Sequence, residues 1–244
     1  MASDDLWAIE QTTGSAAAFH RAPLEREITR PTLWFHQVQQ PALVLGSTQP
    51  ETVIDHQGAS NAGWEVCRRR SGGGVVAVVP NQGLWVDVFV PRDHSLHHDD
   101  IGLAFAWLGD AWVAALAHSA TGCDPVAHSG PLLNRAAGRL LCFAGLGPGE
   151  VTVGGPLNVR YKVVGLSQRR TRAGSRFQCL ALLQHDADPL FRFGSPELAA
   201  IAASNSPMAW PKDSEPPEIG RLRAAFITAA GAAADRAAID SRPT

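Results

Sequence analysis

The sequence predicts an α+β fold in which a mostly antiparallel mixed sheet is covered by packed helices. Three observations carry that prediction. LWVDVFVP (84–91) alternates with period two: Leu84, Val86, Val88 and Val90 fall on one face, and Trp85, Asp87 and Phe89 on the other. A single central segment carries Ile101, Ala104, Phe105, Leu108, Trp112, Ala115 and Leu116 at helical spacing. Strand-like segments come first, then this helix, then more strands and finally helices. Strands and helices do not alternate as they would in a doubly wound parallel sheet.

Taken in order, residues 5–20 predict a short helix. TLWFHQVQQPALVLG (32–46) predicts two strands broken at Pro41. Residues 51–62 are polar with helical potential. WEVCRRR (64–70) reads as a strand, the Ser-Gly-Gly-Gly that follows as a turn, and VVAVV (75–79) as another strand. Residues 93–119 form a loop feeding the central helix, with Asp99 or Asp100 as its N-cap. GRLLCFAG (138–145) predicts a short strand. EVTVGG (150–155) and YKVVGLSQRR (161–170) predict a strand pair across a Gly-Pro turn. FQCLALLQHD (177–186) is a further strand ending in the turn HDADP. PELAAIAAS (196–204) and residues 216–238 are helices, the second carrying Ile219, Leu222, Phe226 and Ile227 on one face.

Composition narrows the functional classes. Apolar residues make up 45% and charged residues 18% of 244, a globular profile without disorder bias. The formal net charge of −2 gives no global attraction to nucleic acid or an anionic membrane, so any such attraction must be local. No apolar run reaches the roughly 18 residues of a membrane span. MASDDLWAIEQ lacks the apolar segment of a signal peptide, which makes the cytoplasm the expected location. Cys67, Cys123, Cys142 and Cys179 form no CxxC pair and read as free thiols, with no metal site expected. There are no repeats and no low-complexity tracts.

Four segments are candidates for chemistry. RRRSGGG (68–74) sets arginines beside backbone that can approach an anion closely, although it is neither a P-loop nor a GxGxxG turn. It is equally readable as a strand connection with a basic flank. Lysine plus arginine total 21, yet only Lys162 and Lys212 are lysines. A lysine retained in such an arginine-biased chain marks a place suited to a compact ammonium. Lys212 lies in a Pro-rich polar loop, whereas Lys162 sits in an apolar strand ahead of Gly165 and points toward a pocket unless it snorkels from a sheet edge. Cys142 ends a strand-like run before a Gly/Pro-rich loop and reads either as a small core residue or as an accessible thiol. His94, His97, His98, Asp99 and Asp100 read as a solvated loop with capping residues rather than a metal site.

RRRSGGG followed far downstream by YKVVGLSQ, with a strand and an amphipathic helix between, resembles the lipoate–protein ligase and octanoyltransferase superfamily, related to the catalytic domain of biotin ligases. The resemblance spans roughly residues 30–190. It implies a biotin/lipoate ligase-like catalytic domain over residues 1–190, with residues 191–244 as a C-terminal helical extension. It implies that Arg69, Arg70, Ser71, Gly72, Gly73 and Gly74 hold the head of an activated acyl group, and that Lys162 and Gly165 approach its carbonyl and phosphate. The implied activity is attachment of a lipoyl or octanoyl group to a lysine of a lipoyl-domain or glycine-cleavage H-type carrier protein.

The resemblance implies first a ligase route through an acyl-adenylate made from ATP with Mg²⁺, with a transferase route through a Cys142 thioester, without ATP, as the alternative. Lipoate ligases follow the triple glycine with His-Asp and Gly-Asn, whereas here the equivalent positions are Val78, Val79, Asn81 and Gln82. Cys142 falls where related amidotransferases carry their cysteine. Where other octanoyltransferases carry theirs, further downstream, this chain has Pro196 beside Ser195. A non-catalytic binder of lipoate or an acylated carrier, and a biotin ligase, are the remaining readings.

Overall fold

The computed structural model describes residues 7–22, 30–184, 187–204, 210–211 and 214–240. Lys212, residues 185–186 of the HDADP turn and the first two residues of the 5–20 segment lie outside the described residues. The core is a seven-stranded sheet of order β1-β2-β6-β10-β9-β8-β7. Its strands are β1 (Ala8–Gly14), β2 (Thr32–Val38), β6 (Gly83–Pro91), β7 (Pro125–Ala127), β8 (Val151–Gly154), β9 (Arg160–Thr171) and β10 (Gly174–Leu182). Among the described strands of this sheet only β1 and β2 pair in parallel. A second sheet of three strands, order β4-β3-β5, is built from β3 (Ala42–Leu45), β4 (Glu65–Arg68) and β5 (Val76–Val78). The α+β prediction therefore holds, with the sheet mixed and mostly antiparallel.

The period-two reading of 84–91 explains the layering. Leu84, Val86, Val88 and Val90 enter one core, against α4 (Ala106–Ser119) and α8 (Ile219–Asp240), while Trp85 enters a separate cluster with Phe19, Val44 and Val78. Trp112 stacks on Phe226 with ring centroids 4.2 Å apart. Asp100 caps α3 (Ile101–Ala104), accepting from the Leu103 N–H at 3.0 Å, and α4 follows after Phe105. Ile101, placed on the helical stripe by its spacing, is exposed. By length and composition the stretch Ile101–Ser119 does match a membrane span, which corrects the reading that no such run exists. Here Leu108, Trp112 and Leu116 pack in the core with the sheet and α8, while Ile101 and Leu103 are exposed.

Two further elements differ from expectation. Residues 5–20 contain a strand and a helix rather than one helix. The Thr12-Thr13 pair suits the pleated β1 beside β2, Gly14 ends it, and Ser15 caps α1 (Ala16–Arg21) with its hydroxyl on the Ala18 N–H. Residues 138–145 are not a strand. They comprise the end of α5 (Arg135–Leu140) and one 3-10 turn at Cys142–Ala144, flanked by the extended Leu141, which bridges to Val75, and the extended Gly145. The short β7 escaped notice because three residues beginning with proline carry almost no strand signal. α2 (His56–Asn61) and α7 (Pro196–Ser204) fall within the segments read as helical, and α6 (Asp188–Phe193) straddles the boundary drawn at 190.

Candidate active site

The Gly-rich turn is fixed by close backbone packing. The Val75 N–H donates to the Leu140 carbonyl at 2.8 Å, and the Cys142 N–H to the Val75 carbonyl at 2.9 Å. A methyl group on Gly74 would lie 2.3 Å from the Leu141 nitrogen and 2.4 Å from the Leu140 carbonyl carbon, so only glycine lets the two segments meet. Gly73 takes φ +94°, a backbone conformation that disfavours any side chain. Gln49, buried behind the turn, accepts from the Gly46 N–H and donates to the carbonyls of Arg139 and Leu140. Gly74→Ala is expected to cost at least about 2 kcal/mol of stability, read as a lowered thermal midpoint.

That packing brings Cys142 to the edge of a cavity of about 380 Å³, whose walls include Gly72, Gly73, Gly165 and Lys162. Cys142 is half-buried there. Val76 and Val78 of β5, with Phe105, Leu166 and Leu180, give the cavity apolar walls. Lys162, on β9, is buried, and its ammonium is surrounded by acceptors: the Glu150 carboxylate at 2.6 Å, the Gly145 carbonyl at 2.9 Å and the Cys142 carbonyl at 3.1 Å. It also lies 5.0 Å from the centroid of the Phe143 ring. Gly165 makes room for that ring, since a methyl group there would come within 3.1 Å of it. Gly165→Ala is therefore expected to move the Phe143 ring, visible in the variant's crystal structure, with little change in thermal midpoint.

The arginines divide. Arg69 lines the cavity, but its guanidinium donates to the carbonyls of Gly72, Gly74 and Val44 and so braces the glycine turn. Arg70 is exposed, lies outside the cavity wall and bonds the Arg21 carbonyl at 3.3 Å. Ser71 also stands outside, its hydroxyl 3.2 Å from that of Ser167, which does line the cavity. Arg68 donates to the Gly46 and Gln49 carbonyls and pairs with Glu51. The structure thus gathers Lys162, Cys142, Arg69, Gly72, Gly73 and Gly165 around one space, while Arg70, Ser71 and Gly74 lie outside its wall. Ser195, beside Pro196, caps α7 through the Leu198 N–H. In the 93–100 loop the histidines accept backbone N–H bonds, His94 from Leu96 and His98 from Asp100.

Sequence reasoning missed Glu150. It is a lone carboxylate at a strand start, and only the β8–β9 pairing, irregular between Val151 and Thr152, puts it beside Lys162. Its other contacts are the N–H groups of Gly147 (2.7 Å) and Leu166 (3.1 Å). The far wall of the cavity was also missed. There His20, Trp85 and Gln178 stand in front of Asp87, which is fully buried and bonded to His36, Arg176 and Trp85. Burial pushes the His20 pKa down to about 3, with Arg69 and Arg176 adding to the shift against Asp87. Its neutral form is favoured in the fold, so the associated stability is present above the unfolded value of 6.5 and lost as pH falls toward 3. The thermal midpoint is expected to drop between pH 6.5 and pH 4, and His20→Gln should flatten that part of the curve.

Residues 15–212 match the lipoyl protein ligase A/B catalytic domain family. The chain belongs to that family. Members of the family are enzymes, and the residue patterns that pointed to them, RRRSGGG and YKVVGLSQ, both lie inside the matched region. Among solved structures the chain is similar to a bipartite lipoate protein ligase of Thermoplasma acidophilum, described with its E2 lipoyl domain, at 19% identity, a TM-score of 0.68, and coverage of 93% of this chain and 82% of that one. It is also similar to a lipoate-protein ligase A bound with ATP (18% identity, TM-score 0.67, 93% and 84% covered). A third is the P. falciparum LipL1 protein in complex with lipoate (12%, 0.58, 97% and 64%). At these identities the likeness establishes the shared fold. No curated protein sequence matches the chain.

Proposed function

We propose that this enzyme attaches a lipoyl or octanoyl group to a specific lysine of a lipoyl-carrier protein, and that Cys142 carries the acyl group as a thioester between donor and acceptor. One observation carries the choice of route: Cys142 shares the cavity with Lys162, whose ammonium is bonded to the carbonyl of Cys142 itself. A cysteine in the core would not be available to a substrate.

The Cys142 sulfur attacks the donor's acyl carbonyl, a C–S bond to Cys142 forms, and the donor leaves as a thiol with the proton that Cys142 gave up. The acceptor lysine's amine then attacks the new thioester, a C–N bond forms, and the C–S bond breaks with a proton returned to sulfur. In both halves negative charge develops on the carbonyl oxygen. Lys162 has three N–H donors and three acceptors at hand, so an approaching oxyanion displaces one of them and gains a preorganised cation. The apolar walls take the aliphatic tail, at about 0.8 kcal/mol per buried CH₂. The acceptor is a lipoyl-domain or H-type carrier, and the setting is the cytoplasm.

The adenylate route is the second reading, favoured by the ATP-bound structure among those similar to this chain. Against it, Val78 forms apolar wall where a ligase places a polar residue. Glu150 is the one carboxylate among the described residues lining the cavity, and it is already held by Lys162 and two backbone N–H groups, leaving none free for Mg²⁺. The test supplies an acceptor lipoyl domain with either octanoyl-pantetheine thioester or lipoate plus ATP. Acylation from the thioester alone is expected; pyrophosphate release with lipoate and ATP, and none from the thioester, would reverse the order of the two routes.

A further inference from the structure

We propose that Trp85 sets the length of the acyl chain this enzyme takes, by closing the cavity against a second one behind it. The inference rests on the reading of the cavity as the acyl-transfer site. Sheet register gives the direction of the tail. Gly165 on β9 stands opposite Leu180 on β10, and Leu180 opposite Trp85 on β6, so the three form a row across one face. All three line the cavity. The reactive end lies over Gly165, where a methyl group would be 3.1 Å from the Phe143 ring and 3.7 Å from Cε of Lys162. A tail whose carbonyl sits by Lys162 therefore runs over Leu180 and meets the Trp85 ring. Neighbouring strands are about 4.8 Å apart, which puts Trp85 about 10 Å from Gly165, close to the reach of an extended octanoyl chain.

Apolar space resumes beyond that ring. A second cavity, of about 220 Å³, has Val38, Val79 and Leu182 among its walls. Val78, Trp85 and Leu180 line both cavities and so form the partition between them. Trp85 is the largest of the three. A longer tail would therefore find further apolar surface to bury, if the indole were not in its way.

The indole is locked in place. Its Nε1 donates to Oδ1 of the buried Asp87 at 3.1 Å. The rings of His20, His36 and Phe19 surround it, with centroids 4.8, 5.2 and 5.5 Å away. A ring held by a carboxylate and three neighbouring rings does not swing aside as an unbranched Met would. The limit on chain length is thus a rigid wall. This gives the buried Asp87 cluster a role at the site: it holds that wall.

The test measures calorimetric binding of the free fatty acids from hexanoate to dodecanoate, and Cys142 acylation by the matching pantetheine thioesters. In the wild type each added CH₂ should tighten binding by about fourfold as far as octanoate. Dodecanoate should bind at least about tenfold more weakly than octanoate. In Trp85→Leu the tightening should continue through dodecanoate, and acylation should follow the same order. Leu180→Ala thins the partition from β10 without touching the Trp85–Asp87 bond, and gives the same reading if Trp85→Leu does not fold. Trp85→Leu/Val79→Phe fills the second cavity from a residue that lines it and not the first, and should restore the limit at octanoate. A wild type that binds dodecanoate as tightly as octanoate overturns the assignment. So does a limit unmoved in Trp85→Leu, or in Leu180→Ala where the first variant does not fold, and so does long-chain binding that survives Val79→Phe. If the acids bind in the stated order while Cys142 gains no acyl group, the thioester route fails and the role of Trp85 stands. If no acid binds at any length and Cys142 gains no acyl group, the acyl-site reading falls and takes this inference with it.

Discussion

Lys162→Met is expected to lower stability by about 3–5 kcal/mol and to slow acyl transfer by at least about 10²-fold. The first effect follows from Glu150: its carboxylate is buried, and without the ammonium 2.6 Å away it remains a charge with only two backbone N–H donors. The Cys142–Ala144 turn would also lose the bonds that its carbonyl and that of Gly145 make to Lys162. Lys162→Met/Glu150→Gln separates the two effects. Urea unfolding should show much of the stability restored in the double variant, while transfer remains slow. Lys162→Arg should also fail, because a planar guanidinium does not fit between three acceptors and the Phe143 ring. Full activity in that variant would mean that any cation serves.

Asp87→Ala is expected to cost about 3–5 kcal/mol through a different cluster. Asp87 is fully buried between His36 at 2.9 Å and the guanidinium of Arg176, whose Nε lies at 2.9 Å. Burial alone would raise its pKa, but His36 and Arg176 outweigh that and hold it at about 2. The ionised form is therefore favoured in the fold, and its contribution is present above the unfolded value of 3.8 and lost as pH falls toward 2. Removing the carboxylate leaves Arg176, itself buried, with the carbonyls of Phe19 and Ala22 as partners. Chemical denaturation at pH 7 measures the loss. Because Asp87 backs the wall that holds His20 and Gln178, the variant should also bind the acyl tail less well.

The parts of this molecule written in local pattern were legible. The alternation of 84–91 gave the central strand with its two faces, and the stripe through Leu108, Trp112 and Leu116 gave the core helix. The scarcity of lysine singled out Lys162, now found buried beside a cavity. Contacts made between distant segments were not legible. The partner of Lys162 is set by strand register, not spacing. Arg69 looked like a ligand-binding residue because charge beside glycine suggests an anion, yet the carbonyls that a tight turn turns inward claim its guanidinium first. Residues 138–145 looked extended because Leu140, Leu141, Cys142 and Phe143 form a continuous apolar run, and such a run does not distinguish a strand from a buried turn.

The central claim is that Cys142 bears the acyl group, and the most direct measurement is intact mass of the protein after exposure to octanoyl-pantetheine thioester without nucleotide. The wild type should gain one octanoyl adduct, mapped by peptide digestion to Cys142, released by hydroxylamine and discharged by an acceptor lipoyl domain. Cys142→Ser should gain none and should transfer nothing. Unchanged transfer by Cys142→Ser, or an adduct that maps elsewhere, would contradict the account.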